Sequence, residues 1–216
     1  DSATSELTID VPIRRRIKSI ENPIVAKTDF GISEIGIEGL SIGMIRHPAD
    51  WPDDSGSLPS DPIVADINEN NVIGYFNVIN GWIYNVKSYR PNENANRPQS
   101  NDLSDKYGKY DIEILNGMIR MKRSQFITVK NFHFKNSQSN TVGCCGIGYA
   151  LQLENTNEVL YENGIIQKMK KGFAVNLGGS SGNVFKDVII KEIFRTPSDF
   201  HSHASSANLI DNLFFD

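Results

Sequence analysis

The sequence predicts an all-β solenoid, a parallel β-helix in which short strands stack coil upon coil. Three observations carry that expectation. First, four stretches alternate in the manner of a half-buried strand: Ile119-Arg120-Met121-Lys122, Leu151-Gln152-Leu153-Glu154, Val175-Asn176-Leu177-Gly178 and Phe200-His201-Ser202-His203. Second, each stretch crosses a small polar turn, resumes with apolar residues and reaches an Asn or Asp. Those markers, Asn131, Asn163, Asp187 and Asn212, recur after 32, 24 and 25 residues, within the period range of solenoids. Third, Gly and Asn punctuate the pattern, and apolar residues do not recur at the three- and four-residue spacing of a helix. One coil cannot bury its own apolar face, so coils must stack, and equivalent side chains form ladders about 4.8 Å apart.

The stretches Phe126-Ile127-Thr128-Val129-Lys130-Asn131-Phe132, Asn183-Val184-Phe185-Lys186-Asp187-Val188 and Asn208-Leu209-Ile210-Asp211-Asn212 resemble the right-handed parallel β-helix of the pectate-lyase-like superfamily. The resemblance covers about three quarters of the chain. It implies a right-handed single-stranded solenoid. Many such families act on acidic polysaccharides; others are phage tailspikes, adhesins and surface proteins. Architecture does not choose among them.

In chain order, residues 1–24 hold Arg14-Arg15-Arg16 with Pro12 and Pro23, an entry strand or a charge-guarded edge. Residues 32–45 alternate strongly, with Gly39 where later coils place Asn. Residues 46–62 form a long loop with four prolines, and residues 71–88 make the next coil, with Asn85 lying 46 residues before Asn131. Residues 89–110 form a second long polar loop; later excursions span 136–147, 167–171 and 193–198. All leave the coil after the Asn row, where loops build the wall of a groove. Trp51, Tyr89, Tyr107 and Tyr110 lie on or beside these loops, placed to stack on sugars or to pack the loops down. Lys168, Lys170 and Lys171 form a basic knot, read as a contact for an anionic chain or, more commonly, as solvated loop surface. The whole of 1–216 is expected to be one domain, and a stop in mid-coil implies a fragment of a longer β-helix or an end covered by further coils or another chain.

The chain of 216 residues carries a net charge of −4, which gives no support to nucleic-acid binding. No apolar run is long enough for a membrane span. Cys144 and Cys145 are adjacent, neither a disulfide framework nor a zinc spacing. No acidic residue falls between Glu113 and Glu154, whereas Arg120, Lys122, Arg123, Lys130 and Lys135 do. A basic sector on an acidic protein attracts an anionic ligand, although counter-charges on neighbouring coils would cancel it.

Counting back from the markers sets the expected rows. Arg120, Gln152, Asn176 and His201 stand eleven residues before them, and Lys122, Glu154, Gly178 and His203 nine before. With the intervening residues inward, these side chains and Asp199 share an outward face. Gly178 would leave a gap beside Glu154 wide enough for a sugar ring. His201, His203, Glu154 and Arg120 are the candidate catalytic residues: a histidine or Glu154 removes a proton while Arg120 neutralises a uronate or sulfate. Lys122, Gln152, Asn176 and Asp199 are the candidate binding residues. No cofactor is required; a divalent metal on Asp199, His201 and His203 is the alternative, and a purely structural role for that cluster is the other. The expected function is binding or processing of a carbohydrate, preferably an acidic polysaccharide, by a lyase or glycosidase. The location is expected to be extracellular or periplasmic. The alternative is a non-catalytic surface, adhesin or fibre protein that uses the solenoid as a spacer.

Overall fold

The computed structural model describes residues 13, 14, 18, 20, 31–47, 70–95, 111–138, 148–176, 179–201 and 205–216. Within these the chain is nearly all β. Its strands are β1 (Ile32–Ser33), β2 (Gly36–Glu38), β3 (Ser41–Ile42), β4 (Asn71–Phe76), β5 (Val78–Ser88), β6 (Gly117–Lys122), β7 (Gln125–Lys135), β8 (Tyr149–Glu154), β9 (Asn157–Gln167), β10 (Lys171–Asn176), β11 (Val184–Lys191), β12 (Thr196–His201) and β13 (Leu209–Phe215), with one short helix, α1 (Asn92–Ala95). They form two sheets. An eight-stranded sheet runs β1-β5-β7-β9-β11-β13, with β2 and β3 also paired to β5, and a five-stranded sheet runs β12-β10-β8-β6-β4. The ladders in both are parallel. From β4 onward the chain visits the sheets alternately, one strand in each, and every return lands beside the previous coil. This is the β-helix-like arrangement that the alternation implied.

The corners explain the repeat. Gly39, Asn85, Asn131, Asn163, Asp187 and Asn212 occupy one column, each with φ between 52° and 65°. A column of left-handed residues bends every coil at one level, and Gly, Asn and Asp tolerate that conformation best. The side chains then hydrogen-bond from coil to coil: Asn131 Nδ2 donates to Asn85 Oδ1 at 3.0 Å, Asn163 to Asn131 at 2.7 Å, and Asn212 to Asp187 at 2.6 Å. A second left-handed column holds Glu34, Asn80, Phe126, Glu158, Gly182 and Ala207, and a third holds Asn77, Arg123 and Asn155. At the corner between the sheets, a buried hydroxyl ladder of Ser124, Thr156 and Ser180 receives backbone N–H groups from the neighbouring coil.

Inward side chains fill the lumen in rings. Tyr161 stacks on Phe185 with centroids 5.1 Å apart, and Phe185 on Phe173 at 4.0 Å. Ile119, Met121, Leu151, Leu153, Phe173 and Val175 present the inner face of the five-stranded sheet and are wholly buried. Buried area of this kind, at about 25 cal/mol per Å², is the main stabilising term.

Two expectations need correction. Lys170 and Lys171 are not solvated loop: both are buried, and Lys171 opens β10. The expected rows are also displaced. From Glu154 to the corner residue Asn163 is nine residues, but from Asn176 to Asp187 and from His201 to Asn212 it is eleven. The corner between β10 and β11 holds the extra residues. The observed rows are therefore Phe76, Lys122, Glu154, Asn176 and His201, and Gly74, Arg120, Gln152, Ala174 and Asp199. A slip of two leaves every side chain on its original face. Of the two long loops, 46–62 is outside the described residues except for Arg46 and His47, and 89–110 except for 89–95 and its helix α1. There, Asn94 donates to the carbonyls of Met44 and Ile112 and accepts from the Arg46 N–H, tying loop to coil.

Candidate functional site

The outward face of the five-stranded sheet collects the polar candidates. Alternation dictates it: Ile119, Met121, Leu151 and Leu153 turn into the lumen, so Arg120, Lys122, Gln152 and Glu154 turn out. Parallel pairing without a shift between β6 and β8 sets Arg120 beside Gln152 and Lys122 beside Glu154.

Glu154 is the centre of this group. Its Oε1 accepts from Arg120 Nε at 2.9 Å and from Gln152 Nε2 at 2.8 Å, and Arg120 Nη2 pairs with it at 2.8 Å. Lys122 Nζ stands 3.7 Å from Oε2, beyond hydrogen-bond reach but close enough for charge pairing. The carboxylate side chain is only 6 % exposed although it lies on the outward face, whereas the Lys122 side chain is 39 % exposed. Burial of a carboxylate is tolerated because paired charge and hydrogen bonds replace its water. Among the described contacts, two cations face this one carboxylate.

Asn176 follows Glu154 in the row, and its Oδ1 is buried without a hydrogen-bond partner. The gap expected at Gly178 does not sit beside Glu154, because Asn176 occupies that place; Gly178 itself is outside the described residues. His201 comes next, at the end of β12, and only its backbone is described; His203 lies outside the described residues. Asp199 is held elsewhere. Its Oδ2 accepts from the Tyr149 hydroxyl at 2.7 Å, and that hydroxyl accepts from Lys171 Nζ at 3.1 Å. Lys171 Nζ also lies 4.3 Å from the centre of the Tyr149 ring. Burial first, then the hydrogen bond and charge of Asp199, push the Tyr149 phenol far above its ordinary range, with Arg195 opposing.

The structure thus brings together Arg120, Lys122, Gln152, Glu154 and Asn176, and sets Asp199 apart. Asp199 is two strands and two residues from Glu154, about 12 Å between Cα atoms. Glu154 leans toward Arg120 on β6, and Asp199 reaches across β10 to Tyr149 on β8. Sequence reasoning missed Tyr149 and the burial of Lys171. The signal was a lysine directly preceding the apolar run Gly172-Phe173-Ala174-Val175, where a solvated loop should already have ended. Among the described residues no group of three or more His, Cys, Asp or Glu could hold a metal, and no helix is long and apolar enough to cross a membrane. The proposed metal ligands fall partly outside that set, as do Cys144 and Cys145.

No family model and no curated protein matches the chain. Among solved structures, the chain is similar to a protein from Parabacteroides merdae for which a glycosyl hydrolase activity has been suggested. The two are 10 % identical with a TM-score of 0.38, over 67 % of this chain and 60 % of that one. This chain therefore spans less than two thirds of that protein's length, and a superposition this loose fixes neither fold nor activity.

Proposed function

We propose that the outward face of the five-stranded sheet binds a carbohydrate polymer, preferably an acidic one, and that the chain is a right-handed β-helix of the pectate-lyase-like kind working outside the cytoplasm. The observation that carries the reading is the Arg120–Lys122–Gln152–Glu154 group in strict register with Asn176. Planar amides and cations spaced by the strand repeat suit a polyhydroxylated chain laid across the strands. Glu154 orders Arg120, and the more exposed Lys122 is placed to meet a uronate or sulfate. Cleavage by this face would be an elimination. A base at the register position of His201 would take the proton α to the carboxylate of a uronate lying over that end of the row, the β C–O bond to the leaving sugar would break as the double bond forms, and solvent would protonate the departing oxygen, while Arg120 and Lys122, about three strand spacings away, would hold a neighbouring uronate of the same chain. Glu154, whose Oε1 is engaged by Arg120 and Gln152, serves as a positioning group in this scheme.

One observation favours the non-catalytic reading of a surface or fibre protein: both described carboxylates on the face are engaged in internal bonds. A single experiment separates the three outcomes. The protein is titrated with polygalacturonate, alginate, chondroitin sulfate and neutral dextran, while ultraviolet absorbance follows unsaturated product. Binding of a polyanion that weakens with salt and with Lys122→Gln supports the face. Product that vanishes in His201→Ala adds the elimination. Binding of none, or equal binding by Lys122→Gln, overturns the proposal.

A further inference from the structure

Phe76 is an outward-facing aromatic at the described edge of the five-stranded sheet. Its neighbours Ile73 and Tyr75 turn into the core, so Gly74 and Phe76 take the outer face, and Phe76 remains 50 % exposed. An exposed phenylalanine alone says little. Three further features set this one apart. A Cβ on Gly74 would lie 2.9 Å from Phe76 Cε2 and 3.2 Å from Cζ, so the ring is folded back over the glycine instead of standing off the sheet. The register puts Lys122 directly beside Phe76, and Arg120 beside Gly74. The ring also pairs with no other ring among the described residues. A flat apolar surface thus lies at the head of the row that continues through Lys122, Glu154 and Asn176.

We propose that Phe76 is a stacking platform for one pyranose ring of a uronate-containing glycan, with Lys122 receiving that sugar's carboxylate. The proposal rests on the binding face described above and adds its first subsite and the chemistry of its ligand. A pyranose presents C–H groups on one face, which suit the negative face of an aromatic ring, and carries its carboxylate at the edge. Lys122 stands one strand spacing away, about 4.8 Å between backbones. Its ammonium is 3.7 Å from Glu154, close enough to be oriented and too far to be committed. Glycine at position 74 keeps the platform flat; a side chain there would lift the ring. The row of five residues from Phe76 to His201 spans four strand spacings, about 19 Å, so the polymer runs along the stacking direction with Phe76 at one end.

The test titrates wild-type protein, Phe76→Ala, Phe76→Trp and Lys122→Gln with oligogalacturonate, oligoalginate and a neutral galacto-oligosaccharide. Phe76→Ala is expected to weaken uronate binding about tenfold, with its melting temperature unchanged and the salt dependence of binding retained. Lys122→Gln is expected to lower affinity for the uronates and to flatten their salt dependence. Phe76→Trp is expected to bind at least as tightly as wild type, and its added tryptophan emission to shift to the blue as oligomer is bound. If Phe76→Ala binds like wild type while Lys122→Gln does not, the platform is wrong and the face stands. If the Phe76→Trp emission does not respond to a bound oligomer, the platform is likewise wrong. If wild type binds neither uronate, both readings fall.

Discussion

Replacing Glu154 by Gln tests whether this carboxylate orders the face or does chemistry. Arg120 reaches one carboxylate oxygen through both Nε and Nη2, and the Arg120 and Glu154 side chains are 24 % and 6 % exposed. Breaking a fully buried pair costs about 3–5 kcal/mol. Exposure on the Arg120 side, and the amide oxygen that the substitution leaves as an acceptor, reduce that to about 2 kcal/mol. For a domain of this size the melting temperature should fall by about 4–8 °C. The same substitution removes one negative charge from the face, so affinity for polygalacturonate at low salt should rise rather than fall. Thermal melts followed by circular dichroism and titrations at two salt concentrations read both effects. An unchanged melting temperature, or weaker binding of the polyanion, would refute the assignment of Glu154 as the ordering group.

Other consequences can be checked on stability alone. Asp187 cannot donate to Asn163, so the amide ladder is interrupted between them; Asp187→Asn should restore the link and add about 0.5–1 kcal/mol, read in a denaturant titration. Phe126 holds a bulky side chain at φ 55°, in a column where Asn is better suited; Phe126→Asn should stabilise by about 1 kcal/mol, and a loss would show that the ring packs usefully. Burial pushes Tyr75 up to about 12 and raises Tyr149 and Tyr161 further. The folded state then holds protons that the unfolded chain releases. This contribution to stability should be complete below about pH 10 and fall as pH rises above it, with Tyr75→Phe reducing the slope in melts taken between about pH 9 and 12.

The fold was legible because the bends are. A left-handed corner admits few residues, so Asn131, Asn163, Asp187 and Asn212 announced themselves, and Gly39 belongs to the same column. The outward face was also legible, since alternation fixes which side a residue takes. What the pattern left open was alignment between coils. The turn between Asn176 and Val184 is longer than the one between Glu154 and Asn157, and no periodicity within a strand reports a corner's length. Hence Asn176, not Gly178, stands beside Glu154. Lys171 was misjudged for a different reason. Its burial depends on the Tyr149 ring and hydroxyl, 22 residues away on the preceding coil, and local composition does not encode that partner.

Whether a single row on a single sheet receives the glycan can be read residue by residue from backbone NMR during titration with oligogalacturonate. The amides of Phe76, Arg120, Lys122, Gln152, Glu154 and Asn176 should shift together, while those of Lys130, Glu162 and Lys186, a charged ladder on the other sheet, stay in place. Shifts confined to Lys130, Glu162 and Lys186, or scattered over both sheets, would place the glycan elsewhere and contradict the binding row.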